Sequence, residues 1–136
     1  MTQPVRILLV DDEPNILKMV GKRLEVEGYE VLTAMDGQEA LKLAQTQAPA
    51  LIILDVMLPK LDGYEVCTML KHDTRSQHIP VVMFSAKAQD KDEKLGLSCG
   101  ADAYITKPFK AQDLLATIQT LVSRPDHVGE AADERG

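Results

Sequence analysis

The sequence predicts an α/β fold: a doubly wound, five-stranded parallel sheet with helices on both faces. Three observations lead there. Short apolar runs alternate five times with stretches of helical periodicity. The runs are nearly free of polar residues, as strands buried on both faces are. Chemically loaded residues stand at the ends of the runs: Asp11-Asp12-Glu13, Asp55, Ser85 and Lys107-Pro108. In open parallel sheets ligands bind outside the carboxyl ends of the strands, so these groups are expected to converge on one edge.

Residues 5–10 read as the first strand, broken only by Arg6. Pro14 suits the first turn of a helix. Ile16, Leu17, Val20 and Leu24 give that helix one apolar face, and Gly28 suits its C-terminal cap. Residues 30–34 form a second strand, followed by a turn at Asp36-Gly37. Ala40, Leu41 and Ala44 mark a second helix, which must end before Pro49. The third strand is 51–54. Pro59 and Gly63 bracket a loop, and a third helix covers 64–72. A polar stretch leads into the fourth strand at 80–84. A fourth helix is expected at 90–99, ended by Gly100, with the fifth strand at 103–106. Leu114, Leu115, Ile118, Leu121 and Val122 place the final helix at 112–123. Residues 124–136 are polar and aperiodic, and read as a disordered tail or truncated linker after a domain at 1–123.

The gross numbers narrow the function. A chain of 136 residues holds one domain with a sizeable core. A formal net charge of -6 argues against nucleic acid as a direct partner. No run is long enough to span a bilayer, and the first residues lack an apolar stretch of signal-peptide length, so a cytoplasmic location and no membrane partner are expected. Cys67 and Cys99 then read as reduced packing thiols. His72, His78 and His127 are scattered away from the acids and read as solvated.

The residue types at the sheet edge point to a divalent metal and a phosphoryl acceptor. A carboxylate can act as nucleophile and form an acyl phosphate, which makes Asp55 the candidate acceptor. Asp11 and Asp12 suit Mg²⁺, which takes oxygen ligands and keeps several waters. The plainer alternative is that Asp11 or Glu13 only caps the helix starting near Pro14. Lys107 offers a fixed cation opposite Asp55. The hydroxyl of Ser85 can donate to a phosphoryl oxygen, and Ala86 leaves room beside it.

Several signals coincide: Asp11-Asp12, the Asp-x-x-x-Pro-x-x-x-Gly pattern at 55–63, Ser85-Ala86, Gly100-Ala101-Asp102 and Lys107-Pro108-Phe109. Through them the chain resembles the receiver domain of two-component response regulators over roughly residues 5–123. The resemblance implies a flavodoxin-like strand order, 2-1-3-4-5. It implies a phosphorylation-activated switch, phosphorylated on Asp55. The metal, Mg²⁺ or Mn²⁺, would be held by Asp12 directly, Asp11 directly or through water, Asp55 and the backbone carbonyl of Met57. It implies a cis peptide before Pro108 and a switch in which Tyr104 follows Ser85 inward. Met57 and Lys87 would line the mouth and tune the phosphoryl lifetime.

The implied partners are a sensor histidine kinase or histidine phosphotransfer protein, and a downstream protein target of unknown identity. Such a domain is not an enzyme in its own right, although it catalyses its own phosphorylation and dephosphorylation. Two other readings compete. A docking module that is never phosphorylated usually lacks the acceptor, an acid or the lysine, and all are present here. A phosphatase with an aspartyl nucleophile needs an acid two residues after it, where this chain has Met57. A dinucleotide site is disfavoured because no GxGxxG follows the first strand. The large DNA-binding subfamily of receivers dimerises through salt bridges that this sequence lacks. Glu93 replaces an Arg, Ala103 replaces an Asp, and the final helix has no Lys or Arg. The chain is therefore expected to be a monomer that docks a different protein, with no direct nucleic acid through this domain.

Overall fold

A computed structural model of the chain describes residues 4–85, 99–107 and 109–123. The Ser85 side chain, Ala86, Lys87, Glu93, Pro108 with its expected cis bond, His127 and residues 124–136 lie outside the described residues, as does the predicted helix at 90–99 up to Cys99. The strands are β1 (Arg6–Val10), β2 (Glu30–Ala34), β3 (Leu51–Asp55), β4 (Val81–Ser85) and β5 (Ala103–Thr106). The helices are α1 (Pro14–Val26), α2 (Gly37–Gln47), α3 (Gly63–Lys71) and α4 (Ala111–Val122). All strand pairs are parallel, in the order β2-β1-β3-β4-β5.

Strand parity divides the core. Leu8, Val10, Ile52, Leu54, Val81 and Met83 face one side with α2 and α3, through Ala40, Ala44, Val66, Cys67 and Leu70. Ile7, Leu9, Leu51, Ile53, Val82 and Phe84 face the other with α1 and α4, through Val20, Leu24, Leu114, Ile118 and Leu121. Successive strand side chains point to opposite faces, so both parities must be apolar in a sheet covered on both sides. The register sets Val10 beside Leu54, Asp55 beside Phe84 and Ser85 beside Thr106. The strand ends that carry the candidate groups thus share one edge.

Helix ends follow local chemistry. Asp36 caps α2 rather than forming a free turn: its Oδ1 accepts from Glu39 N at 2.8 Å, and Glu39 Oε1 accepts from Met35 N at 3.0 Å. At α3 Asp62 and Glu65 form a true capping box, in which Glu65 accepts from the N–H of the capping residue Asp62 itself, an arrangement that satisfies two otherwise orphaned donors. Gly28, just past α1, has φ 97°, a conformation suited to glycine. Ala48 ends α2 with φ 45° and ψ 60°, a left-handed residue that carries a Cβ. At the opposite edge from the candidate groups, Lys71 Nζ donates to Ile79 O at 2.7 Å and pairs with Asp102 Oδ2 at 3.0 Å. Asp102 also accepts from Val81 N at 2.9 Å, tying α3, β4 and β5 together.

Candidate functional site

Asp11, Asp55 and Lys107 each stand two residues beyond Leu9, Ile53 and Ile105, which pack on the α1–α4 face. Asp55 is the last residue of β3 itself, while Asp11 and Lys107 lie just past their strands. Their shared parity brings them together. Lys107 Nζ lies 3.0 Å from Asp11 Oδ2, 3.6 Å from Asp55 Oδ2 and 3.9 Å from Glu13 Oε1. Carboxylate oxygens of Asp11, Asp12 and Asp55 lie within 4.8 Å of one another.

The three acids differ in what they offer. Asp11 is fully buried, and both oxygens are engaged: Oδ2 with Lys107 and Oδ1 with Glu13 N at 2.9 Å. Asp12 is exposed and lines an open cleft of about 740 Å³ with Glu13, Asp55, Met57 and Asp62. Asp55 is 3% exposed, and its Oδ1 accepts from Met57 N at 3.2 Å. Glu13 makes no side-chain cap bond at the start of α1. Of the two acids weighed as caps, Asp11 is the one whose carboxylate accepts a backbone N–H there.

Electrostatics follow from burial and crowding. Burial, then the Asp11 charge, pushes the Asp55 carboxyl up to about 6, with Asp12 adding; Lys107 and the Met57 N–H oppose. Burial works to lower the Lys107 ammonium, but the Asp11 hydrogen bond and the charges of Asp55, Asp11 and Glu13 outweigh it, and its pKa is raised. Three carboxylates against one ammonium form a site short of positive charge, with oxygen donors only. That donor set fits a hard divalent cation.

The remaining predicted residues lie at the cleft mouth, on β5 or outside the described residues. Met57 is 72% exposed at the cleft mouth. Tyr104 is half-buried in β5 and packs against the core on the α2–α3 side. Ser85 ends β4 beside Thr106, but its side chain, like Lys87, lies outside the described residues.

Two features escaped the sequence reading. Gly63 sits so close to β3 that a Cβ there would lie 2.3 Å from Asp55 O and 2.7 Å from Val56 Cα. Phe84, fully buried, places its ring centroid 5.0 Å from Lys107 Nζ and meets Phe109 edge-on at 4.6 Å. The glycine eight residues after Asp55 was the available signal for the first. The second needed the register of β4 against β5.

A doubly wound sheet with buried carboxylates and a lysine at its carboxyl edge defines an acidic phosphoryl- or metal-handling α/β domain. Residues 7–119 match the response regulator receiver domain family, and the chain belongs to it. Its work is that of a phosphorylation-activated switch of two-component signalling rather than that of a metabolic enzyme. It is 47% identical over 121 residues to the alkaline phosphatase synthesis transcriptional regulatory protein PhoP of Bacillus subtilis, covering 89% of this chain and 50% of that protein. It is 45% identical over 127 residues to the DNA-binding dual master transcriptional regulator RpaA of Synechocystis, covering 93% of this chain and 53% of that protein. The chain therefore spans about half the length of these relatives. Among solved structures, the receiver domain of the sensor histidine kinase PA1611 of Pseudomonas aeruginosa superposes with a TM-score of 0.84 at 30% identity, covering 90% of this chain and all of that one. That structure holds a magnesium ion in its active-site cleft.

These relatives correct the partner expectation. Proteins named as DNA-binding and transcriptional regulators carry this domain over about half their length, so the reading of a monomer that docks another protein, with no direct nucleic acid through this domain, is withdrawn. The physical reason is twofold. Charge on one half of a protein is screened within about 8 Å at physiological salt and says nothing of another half. Exposed ion pairs contribute only about 0–1 kcal/mol each, so three missing charges do not decide assembly. On the membrane, the statement is limited: among the described residues no helix is long and apolar enough to cross one.

Proposed function

We propose that Asp55 is the phosphoryl acceptor of this switch, with Asp11, Asp12 and Lys107 as its supporting groups. The observation that carries the reading is the Asp55 carboxylate itself. It is almost fully buried, opens onto the cleft, and is held by the Met57 N–H on one oxygen with the Lys107 ammonium 3.6 Å from the other. One Asp55 oxygen attacks phosphorus, the bond from phosphorus to the donor oxygen breaks, and an acyl phosphate remains on Asp55. With a small acyl phosphate as donor, the leaving group departs as a carboxylate and needs no proton. Lys107 exchanges its pairing with the free carboxylate for one with a phosphoryl oxygen.

Mg²⁺ or Mn²⁺ would be held by Asp12 and Asp55, by Asp11 directly or through water, and by the Met57 backbone carbonyl. When bound, it neutralises the phosphoryl oxygens as charge develops. Asp11, whose two oxygens are already occupied, suits the water-mediated role best. The domain catalyses its own phosphorylation and dephosphorylation in this reading. Ser85 supplies a hydroxyl to the new phosphoryl group, Tyr104 responds as the switch aromatic, and Met57 and Lys87 set the lifetime. The exposure of Met57 at the cleft mouth supports its part. Residues 1–123 form the switch, with 124–136 as a tail or linker, and the location is cytoplasmic, where reduced thiols such as these persist. The relatives' names support control of transcription as the output.

The test is incubation with acetyl phosphate and Mg²⁺, read by intact mass. Wild type should gain one phosphoryl group, and Asp55→Ala or chelated protein none. Phosphate on Asp55→Ala would end the assignment.

A further inference from the structure

Cys67 and Cys99 are the nucleophilic pair that the phosphoryl site does not use. They lie 32 residues apart in sequence, on α3 and on the turn before β5. The Cys67 thiol donates to Cys99 O at 3.6 Å. Both are reduced and both belong to the core on the α2–α3 side. They are not equivalent. Cys67 is fully enclosed, whereas Cys99 keeps 9% of its surface open. The hydrogen bond from Cys67 is the main influence that draws the Cys99 thiol down to about 7; burial opposes it, and nearby backbone N–H groups and the Lys71 cation assist. The same pairing and burial raise the Cys67 thiol. A Cys99 thiol drawn toward its thiolate beside a fully enclosed Cys67 thiol is the arrangement of an attacking and a resolving cysteine.

We propose that Cys67 and Cys99 form an oxidisable dithiol site that takes a small peroxide and closes to a disulfide between α3 and the entry to β5. The Cys99 thiolate attacks one peroxide oxygen, the O–O bond breaks, and the departing oxygen leaves as water once protonated. Cys99 is then a sulfenic acid. The Cys67 sulfur attacks it, loses its proton, forms the S–S bond and releases a second water. Two thiols and one hydrogen peroxide give one disulfide and two waters. A transient disulfide of this kind is the usual form in which a cytosolic protein uses one. This site lies apart from the acid cleft and goes beyond the phosphoryl reading. The Lys71–Asp102 pair beside it already ties α3 to β5, so the bridge would join elements that are held together rather than force them to move.

The folded protein is treated with hydrogen peroxide and then with N-ethylmaleimide under non-reducing conditions. The expected product has lost two hydrogens, takes no maleimide, yields a peptide joining 67 to 99, and returns to the starting mass with dithiothreitol. Its thermal midpoint should exceed that of the reduced protein, because the bridge restricts the unfolded chain. Cys67→Ala should instead accumulate a single oxygen on Cys99, trapped by dimedone. Three results would each overturn the proposal: oxygen added at Cys99 of wild type without the 67–99 link, disulfides only between molecules, or no reaction under conditions that link the two cysteines in urea.

Discussion

At the scale of single residues, Asp55 is held in a condition that favours its protonated form. Its carboxyl is raised to about 6 in the folded chain, against about 3.9 when unfolded. The folded state therefore binds the proton more tightly. Stability from this group is present below the unfolded value and is lost as pH rises from about 4 through about 6. Asp55→Asn should accordingly stabilise the metal-free protein at pH 7.5 by on the order of 1–3 kcal/mol, read as a higher thermal midpoint. At pH 4 the gain should shrink. Adding Mg²⁺ should stabilise wild type and leave the variant nearly unmoved. Melting curves at the two pH values, with and without the ion, decide this; a variant less stable than wild type at pH 7.5 would contradict the crowding argument. Lys107→Ala removes the cation from among three carboxylates. It should still accept phosphate from acetyl phosphate, but more slowly, read as the rate of mass gain. An unchanged rate would take Lys107 out of the chemistry.

Elements place those residues through contacts that a side-chain list does not reveal. Gly63 begins α3 against the backbone of Asp55 and Val56, and backbone cannot move aside as the end of a flexible side chain can. Gly63→Ala should therefore destabilise strongly, by about 2 kcal/mol or more, and slow phosphorylation as well. A variant that melts like wild type would show that α3 can shift freely from β3. Asp102→Ala strips partners from Lys71 and from Val81 N. A loss of about 1–3 kcal/mol is expected from the buried donors left behind, with the phosphorylation rate unaffected because the cleft is at the other sheet edge. Much of this level was readable in the sequence. The apolar runs gave five strands to within a residue or two, and Asp36 with Glu39 and Asp62 with Glu65 carried the spacing of helix caps. Parity was readable too: Asp11, Asp55 and Lys107 all extend one set of alternating positions. The Phe84–Lys107 contact was not, because it depends on register between strands far apart in the chain.

For the whole molecule, truncation after Ser123 should leave the melting temperature and the Mg²⁺-dependent mass gain as they are, since among the described residues the last side chain packed on either core face is Val122. A large loss of stability would assign residues 124–136 a place in the fold. The sequence went astray at this scale, on partners. Net charge is a property of the residues counted, and the relatives carry this domain as about half of a longer protein. No pattern within one half reports the chemistry of another, whereas the strand ends reported their own chemistry well.

Ala48 carries a practical consequence. A left-handed residue with a Cβ is strained by about 1–2 kcal/mol, and glycine there is offset in part by its greater freedom when unfolded. Ala48→Gly should thus yield a net gain of ~0.5–1 kcal/mol. Ala48 leads into β3 at the edge away from the acids, so phosphoryl chemistry should be indifferent to the change. A chain so reinforced would serve as the background for damaging cleft substitutions such as Gly63→Ala. A lost activity could then be attributed to displaced atoms rather than to an unfolded population.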